Sequence, residues 1–89
     1  WSLTLEQIYE IFERQKWKCA YTGYPLRFNM KTHASSGQPS LDRRDNTVGY
    51  TNKNTQVVIK EINIMKNIYS EEKFLSLCKA VAAYTSVST

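Results

Sequence analysis

The chain has little cysteine and almost no histidine: Cys19, Cys78 and the single His33 in 89 residues. The two cysteines are far apart and neither belongs to a Cys-x-x-Cys pair, so a four-cysteine zinc site cannot form within the chain. They read as buried thiols of a reducing compartment, with a disulfide as the alternative. Long hydrophobic runs are also missing. Stretches such as Val57-Val58-Ile59 span a few residues, whereas a membrane-crossing helix needs about 20. No basic-then-apolar leader is visible, and the first residue is Trp1 rather than Met. The expectation is a segment of a longer, intracellular rather than secreted protein that does not engage a membrane. No internal repeat or low-complexity tract appears.

What is present suits one folded domain, 1–89. Apolar residues make up 42%, enough for a single modest core and too many for a disordered tail. Twelve Lys and Arg against eight Asp and Glu leave a net charge of +4, which favours a polyanionic partner. The cations fall in groups: Arg14, Lys16 and Lys18; Arg27 and Lys31; Arg43 and Arg44; then Lys53, Lys60 and Lys66.

Residues 4–16 predict a helix, with Thr4 as cap, Gln7 at the capping-box position and an apolar stripe of Leu5, Ile8, Ile11 and Phe12. Gly23 and Pro25 mark a turn, and Leu26 and Phe28 a short strand. The stretch 29–38 reads as a surface loop. Pro39 to Arg43 can extend as a strand, and β-branched Thr55 to Ile59 as its partner. The polar loop between them, of roughly ten residues, exceeds the usual hairpin length of two to five, and long loops of this kind are often functional. Helical spacing returns over 60–68. Ser70, Glu71 and Glu72 open a last helix whose stripe is Phe74, Leu75, Cys78, Val81 and Ala82. The fold class is therefore α+β: a ββα unit with flanking helices that bury its apolar side.

Within that unit, Asp42 lies on a strand whose partner feeds the helix carrying Asn63. If the strands pair, a carboxylate and an amide oxygen approach each other, a hard donor set suited to Mg²⁺ or Mn²⁺. The plain alternative is that Asp42 pairs with a neighbouring Arg and Asn63 faces solvent.

Several blocks occur in sequence: Cys19-Ala20-Tyr21-Thr22-Gly23-Tyr24-Pro25-Leu26, Pro39-Ser40-Leu41-Asp42-Arg43-Arg44-Asp45, Gly49-Tyr50-Thr51, Asn54-Thr55-Gln56-Val57-Val58 and Asn63-Ile64-Met65-Lys66. Together they resemble the HNH endonuclease family, with closest likeness to small phage and large-virus members, over residues 8–82. The resemblance implies a ββα-metal (His-Me finger) core that hydrolyses DNA phosphodiesters, with the motif helix and hairpin entering or straddling the minor groove. It implies Asp42 and Asn63 as metal ligands and Asn54 as the residue that ties the central loop. Arg43, Arg44 and Lys66 become phosphate contacts. Asn67, one turn beyond Asn63, is a second helix position that some members use as a ligand, with solvent exposure or helix capping as the alternative.

Two positions depart from the family pattern. Arg43 stands where most members have the histidine that activates water, and an arginine stays charged in proteins, so it is a poor general base. It can hold the scissile phosphate. The water then needs another base, the metal or a substrate oxygen. His33 has a suitable unperturbed pKa, with an idle exposed loop histidine as the alternative, and Tyr24 and Tyr50 are further reachable polar groups, with packing and a solvated hydroxyl as their alternative. Asp45 is expected to pair with Arg43 or Arg44 and anchor the loop. The second departure is the missing pair of zinc-clip Cys-x-x-Cys motifs. Packing by Trp17, Leu26, Phe28, Ile59, Ile62, Phe74 and Leu75 must substitute, and a folded metal-free form is expected. The expected activity is metal-dependent DNA cleavage. Its rivals are a catalytically impaired nucleic-acid-binding module and a protein-interaction domain that is merely basic.

Overall fold

The computed structural model of the chain describes residues 3–27 and 37–87. Helix α1 (Leu5–Arg14) is followed by strands β1 (Pro39–Arg43) and β2 (Thr55–Ile59), then helices α2 (Lys60–Lys66) and α3 (Glu71–Val87). The architecture is a small α+β arrangement of three helices and a two-stranded antiparallel sheet among the described residues. No helix there is long and apolar enough to cross a membrane.

The capping box forms as expected: Gln7 N donates to Thr4 Oγ1 at 3.1 Å and Thr4 N to Gln7 Oε1 at 2.9 Å. Ile11 is fully buried, and Ile8 and Phe12 pack beside it. The helix stops two residues short of the expected end at 16 because the chain reverses. Lys16 and Trp17 both take positive φ, 55° and 59°, a costly choice for residues with a Cβ. The reversal is held by Trp17 N donating to Phe12 O at 2.9 Å.

That reversal matters because it delivers residues 14–20 to the outer edge of β2. An isolated hairpin is marginal in water, yet every residue of β2 is buried. On one side β1 pairs with it, placing Leu41 opposite Val57 and Asp42 opposite Gln56. On the other side Ala20 N donates to Val57 O at 3.0 Å, and Gln15 grips the same residue from both directions. Its Nε2 donates to Val57 O at 2.8 Å, while Val57 N donates to its Oε1 at 2.8 Å. Arg14 adds a bond to Thr55 O at 3.1 Å, and Ile59 N donates to Cys19 Sγ at 3.3 Å. Side chains thus do what a third strand would do, and the edge is no longer available for pairing.

Alternation sorts β1 between two faces. Leu41 packs towards Ile8 and Phe12 of α1. Ser40 and Asp42 face α2, which begins directly from β2 with Lys60 N bonded to Gln38 O at 2.8 Å. α2 ends at Lys66, earlier than the expected 68, where Asn67 takes φ 49°. At the start of α3, Lys73 N donates to Ser70 Oγ at 3.2 Å, as the cap reading requires.

Three further expectations change. The strand at Leu26–Phe28 is a single antiparallel bridge between Lys18 and Pro25, with Leu26 buried and Phe28 outside the described residues. Trp17 is 39% exposed rather than central to the core. The α3 stripe is only partly covered: Phe74 is buried against Tyr21, Leu75 and Cys78 are half-buried, and Val81 and Ala82 lie open. A sheet of two short strands offers too little surface to cover a 17-residue helix.

Gln15→Ala removes both sides of the Val57 grip and leaves the buried Val57 N–H without a partner, while Val57 O keeps its bond from Ala20 N. It is expected to destabilise the fold by roughly 1–3 kcal/mol, read as a lower urea midpoint at constant m-value. Tyr84→Ser on exposed α3 should leave the unfolding free energy within about 0.5 kcal/mol of wild type.

Candidate functional site

The expected ligand pair comes together. Asp42 of β1 and Asn63 of α2 line one polar cleft of about 80 Å³ with Leu41, Arg43, Asn46, Tyr50, Lys66 and Asn67. Asn63 Nδ2 donates to Ser40 Oγ at 2.6 Å and to Leu41 O at 3.4 Å, which pins its amide to β1. None of the hydrogen bonds formed by the described residues ends on Asn63 Oδ1.

Asp42 is 4% exposed, and both its oxygens have partners. Lys66 Nζ donates to Oδ1 at 2.9 Å, and Gln56 Nε2 to Oδ2 at 3.0 Å. Lys66 Nζ also donates to Arg43 O at 2.8 Å. The lysine side chain is 2% exposed. It shares the helix face of Asn63, as an i, i+3 pair must, but it turns inward. The expectation of a surface phosphate contact at Lys66 is therefore revised: its ammonium is committed to Asp42. The cause is local. A carboxylate buried between a sheet and a helix needs a counter-charge, and Lys66 supplies it.

Arg43 does not pair with a carboxylate among the described residues. Its guanidinium lies 5.3 Å from the centre of the Tyr50 ring, within cation–π range, and donates to Val48 O at 3.4 Å. Arg44 is exposed, with its N–H bonded to Asn54 O at 2.9 Å.

Asn54 organises the 44–54 loop as expected. Its Nδ2 donates to three carbonyls, Asp45 O, Val48 O and Gly49 O, at 3.0, 3.1 and 3.0 Å. Its Oδ1 accepts from Asp45 N at 2.9 Å. Asp45 anchors the loop by a different route from the ion pair expected of it. Its Oδ1 accepts from Thr47 N at 2.9 Å and from Thr47 Oγ1 at 2.6 Å, and these bonds hold its carboxyl below the usual aspartate range. Asn46 ties the same loop to the end of α2 through Ile68 O.

Tyr24 is exposed and lines a different concavity, with Arg27 and Glu61. His33 lies outside the described residues. Asn67 reaches the cleft, but its backbone N–H closes the end of α2 on Asn63 O at 2.9 Å. Behind the cleft, Tyr21 donates to Glu71 Oε1 at 3.0 Å. Burial first, then Glu71 and the nearby Asp42 charge, push its phenol well above the ordinary value. Burial alone would raise the Cys19 thiol, but hydrogen bonds from Thr22, Ile59 and Tyr21 outweigh it and lower the pKa.

Sequence reasoning missed Gln56 and Ser40. A polar residue inside the β-branched run Thr55-Gln56-Val57-Val58-Ile59 was the available signal, because the cross-strand register puts it opposite Asp42.

The donor set fits a hard divalent cation in kind, one carboxylate and one amide oxygen. The Lys66 charge beside it weakens that fit. No group of three or more His, Cys, Asp or Glu side chains clusters among the described residues. Comparison with protein families, curated proteins and solved structures finds no match to the chain.

Thr47→Val removes one of the two bonds to Asp45 Oδ1, and the Asp45 pKa should rise towards 3.8, measured by NMR titration. Because the folded-state value is depressed, the bond's stabilisation is present above the unfolded aspartate pKa. It is lost as pH falls through the depressed value, so wild type and variant should converge in stability in strong acid.

Proposed function

We propose that the chain is a metal-dependent DNA endonuclease domain with a ββα-metal core of the HNH type, hydrolysing phosphodiester bonds at the Asp42–Asn63 cleft. The observation that carries the reading is the convergence of a β1 carboxylate and an α2 amide on one small polar cleft. The Asn54 loop staple and the net charge of +4 add support.

Asp42 and Asn63 would hold Mg²⁺ or Mn²⁺ through their oxygens. When bound, the ion supplies charge stabilisation at the phosphoryl group and its leaving oxygen. Arg43 carries a guanidinium, so its part is to bind and stabilise the phosphate rather than accept a proton. Its place over Tyr50 preorients the guanidinium. Arg44 contacts backbone phosphate, which contributes affinity without sequence choice. Asn54 is a positioning residue that fixes the loop between the strands. Lys66 neutralises Asp42 in the absence of a divalent ion, so ammonium and metal compete for one carboxylate. The proton of the attacking water then goes to another base, for which His33 is the histidine the sequence offers, or to a substrate oxygen.

A second reading, a nucleic-acid-binding module that does not cut, is favoured by two observations: Arg43 at the base position and the occupied Asp42 carboxylate.

The two readings separate on supercoiled plasmid with Mg²⁺ or Mn²⁺. Nicking that disappears in Asp42→Asn supports the nuclease; binding without nicking in either metal supports the module. Lys66→Met supplies a readout independent of activity. Without metal it leaves a buried charge unpaired and should cost roughly 3–5 kcal/mol. Added Mn²⁺ should then raise its melting temperature more than that of wild type. An equal or smaller rise would remove Lys66 as the metal's competitor.

A further inference from the structure

A second concavity, of about 420 Å³, opens on another part of the surface, between the end of α1 and the end of β1. Its lining includes Arg14, Gln15, Lys18, Ala20, Gly23 and Arg44, and no acidic residue. None of the three cations pairs with a carboxylate among the described residues. Three like charges around one hollow, with no counter-charge, repel one another. An anion placed there relieves that repulsion.

The guanidinium of Arg14 is held by its neighbours, whereas Lys18 and Arg44 are fixed through their backbones and carry exposed side chains. Arg14 is fixed by bonds to Asn52 Oδ1 at 3.0 Å, Asn52 O at 3.3 Å and Thr55 O at 3.1 Å. Glu10 accepts from Asn52 Nδ2 at 3.3 Å and forms no ion pair with Arg14. Lys18 has its backbone tied at both ends: its N–H donates to Gln15 O at 3.2 Å, and its carbonyl accepts from Gln15 Nε2 at 2.8 Å. Arg44 is tied in the same way, its N–H to Asn54 O at 2.9 Å and its carbonyl from Glu71 N at 3.2 Å. The end of α1 is the negative pole of its helix, but Gln15, Lys16 and Trp17 N–H groups already occupy carbonyls of its last turn. The volume falls in the range of small-ligand pockets, roughly 300–1,000 Å³, so it accommodates more than a lone ion.

We propose that this hollow binds a phosphate of a polynucleotide backbone, with Lys18 and Arg44 as the contacting cations and Arg14 as the fixed charge behind them. Arg43 and Arg44 are consecutive, and each belongs to one of the two concavities. A backbone running past the end of β1 would meet the Asp42 cleft and this hollow in turn. The identity of the polymer rests on the proposed nuclease or nucleic-acid reading; the existence of the anion site does not.

Inorganic phosphate titrated into the labelled full chain, followed by amide NMR shifts, tests the site without DNA. Saturable shifts should concentrate at residues 18–23 and at Arg44. The double variant Lys18→Gln/Arg44→Gln should weaken them about tenfold, as expected when charge-assisted hydrogen bonds are removed. The equally charge-reducing Lys73→Gln/Lys79→Gln on α3 should leave them unchanged. Shifts spread evenly over the surface, or weakened equally by both double variants, overturn the site. A duplex DNA arm then tests the polymer: the first pair should flatten the plot of log affinity against log salt by about one unit for each phosphate no longer neutralised. An unchanged slope overturns the backbone assignment. Absence of plasmid nicking by the unmodified chain, with both binding results as expected, counts against the nuclease reading and supports this site independently of it.

Discussion

A buried charge pair organises this small fold. Asp42 leaves water on β1, Lys66 leaves it on α2, and the two meet at 2.9 Å with 4% and 2% of their side chains exposed. Removing two ions from solvent costs several kcal/mol each, and attraction offsets this only when the remaining valences are filled. Here they are: Gln56 from β2 donates to the second carboxylate oxygen, and Arg43 O accepts from the ammonium. One charge cluster therefore joins both strands to the helix that follows them. The same cluster sets the functional question, since the carboxylate most suited to a metal reaches the cleft already neutralised.

The rest of the molecule compensates for a sheet of only two strands. Gln15, Arg14, Ala20 and Cys19 close the open edge of β2 with bonds to Thr55, Val57 and Ile59. Asn54 and Asp45 do the equivalent for the long loop, replacing a tight turn with an internal hydrogen-bond network. Amide side chains recur in these roles because each offers a donor and an acceptor in one plane, as the peptide group does. A loop held this way presents Arg43, Tyr50 and Asn46 to the cleft in fixed positions, and preorganisation of that kind is what an electrostatic site needs.

Much of the local structure was legible in the sequence. The Thr4 and Gln7 box, both strands with their bounds, the loop role of Asn54 and the proximity of Asp42 and Asn63 all follow from spacing or from the family likeness. What was not legible depends on three-dimensional neighbours. Lys66 shares a helix face with Asn63 by arithmetic, but only the depth of Asp42 decides that it points inward. Gln56 gains its meaning from a register that no linear pattern states. The early end of α1 depends on two residues adopting positive φ without glycine, which local propensity opposes. The α3 stripe has the periodicity of a core helix, but periodicity does not reveal how little sheet is available to cover it.

The central claim is that Asp42 and Asn63 together attract a hard cation despite the adjacent ammonium. Paramagnetic broadening by substoichiometric Mn²⁺ reads this directly in the unmodified protein. The account predicts that the amide signals of Asp42, Arg43, Asn63 and Lys66 broaden first and that excess Mg²⁺ restores them. Broadening that begins elsewhere, for instance around the acidic start of α3 at Glu71 and Glu72, or that spreads without order over the surface, would contradict it.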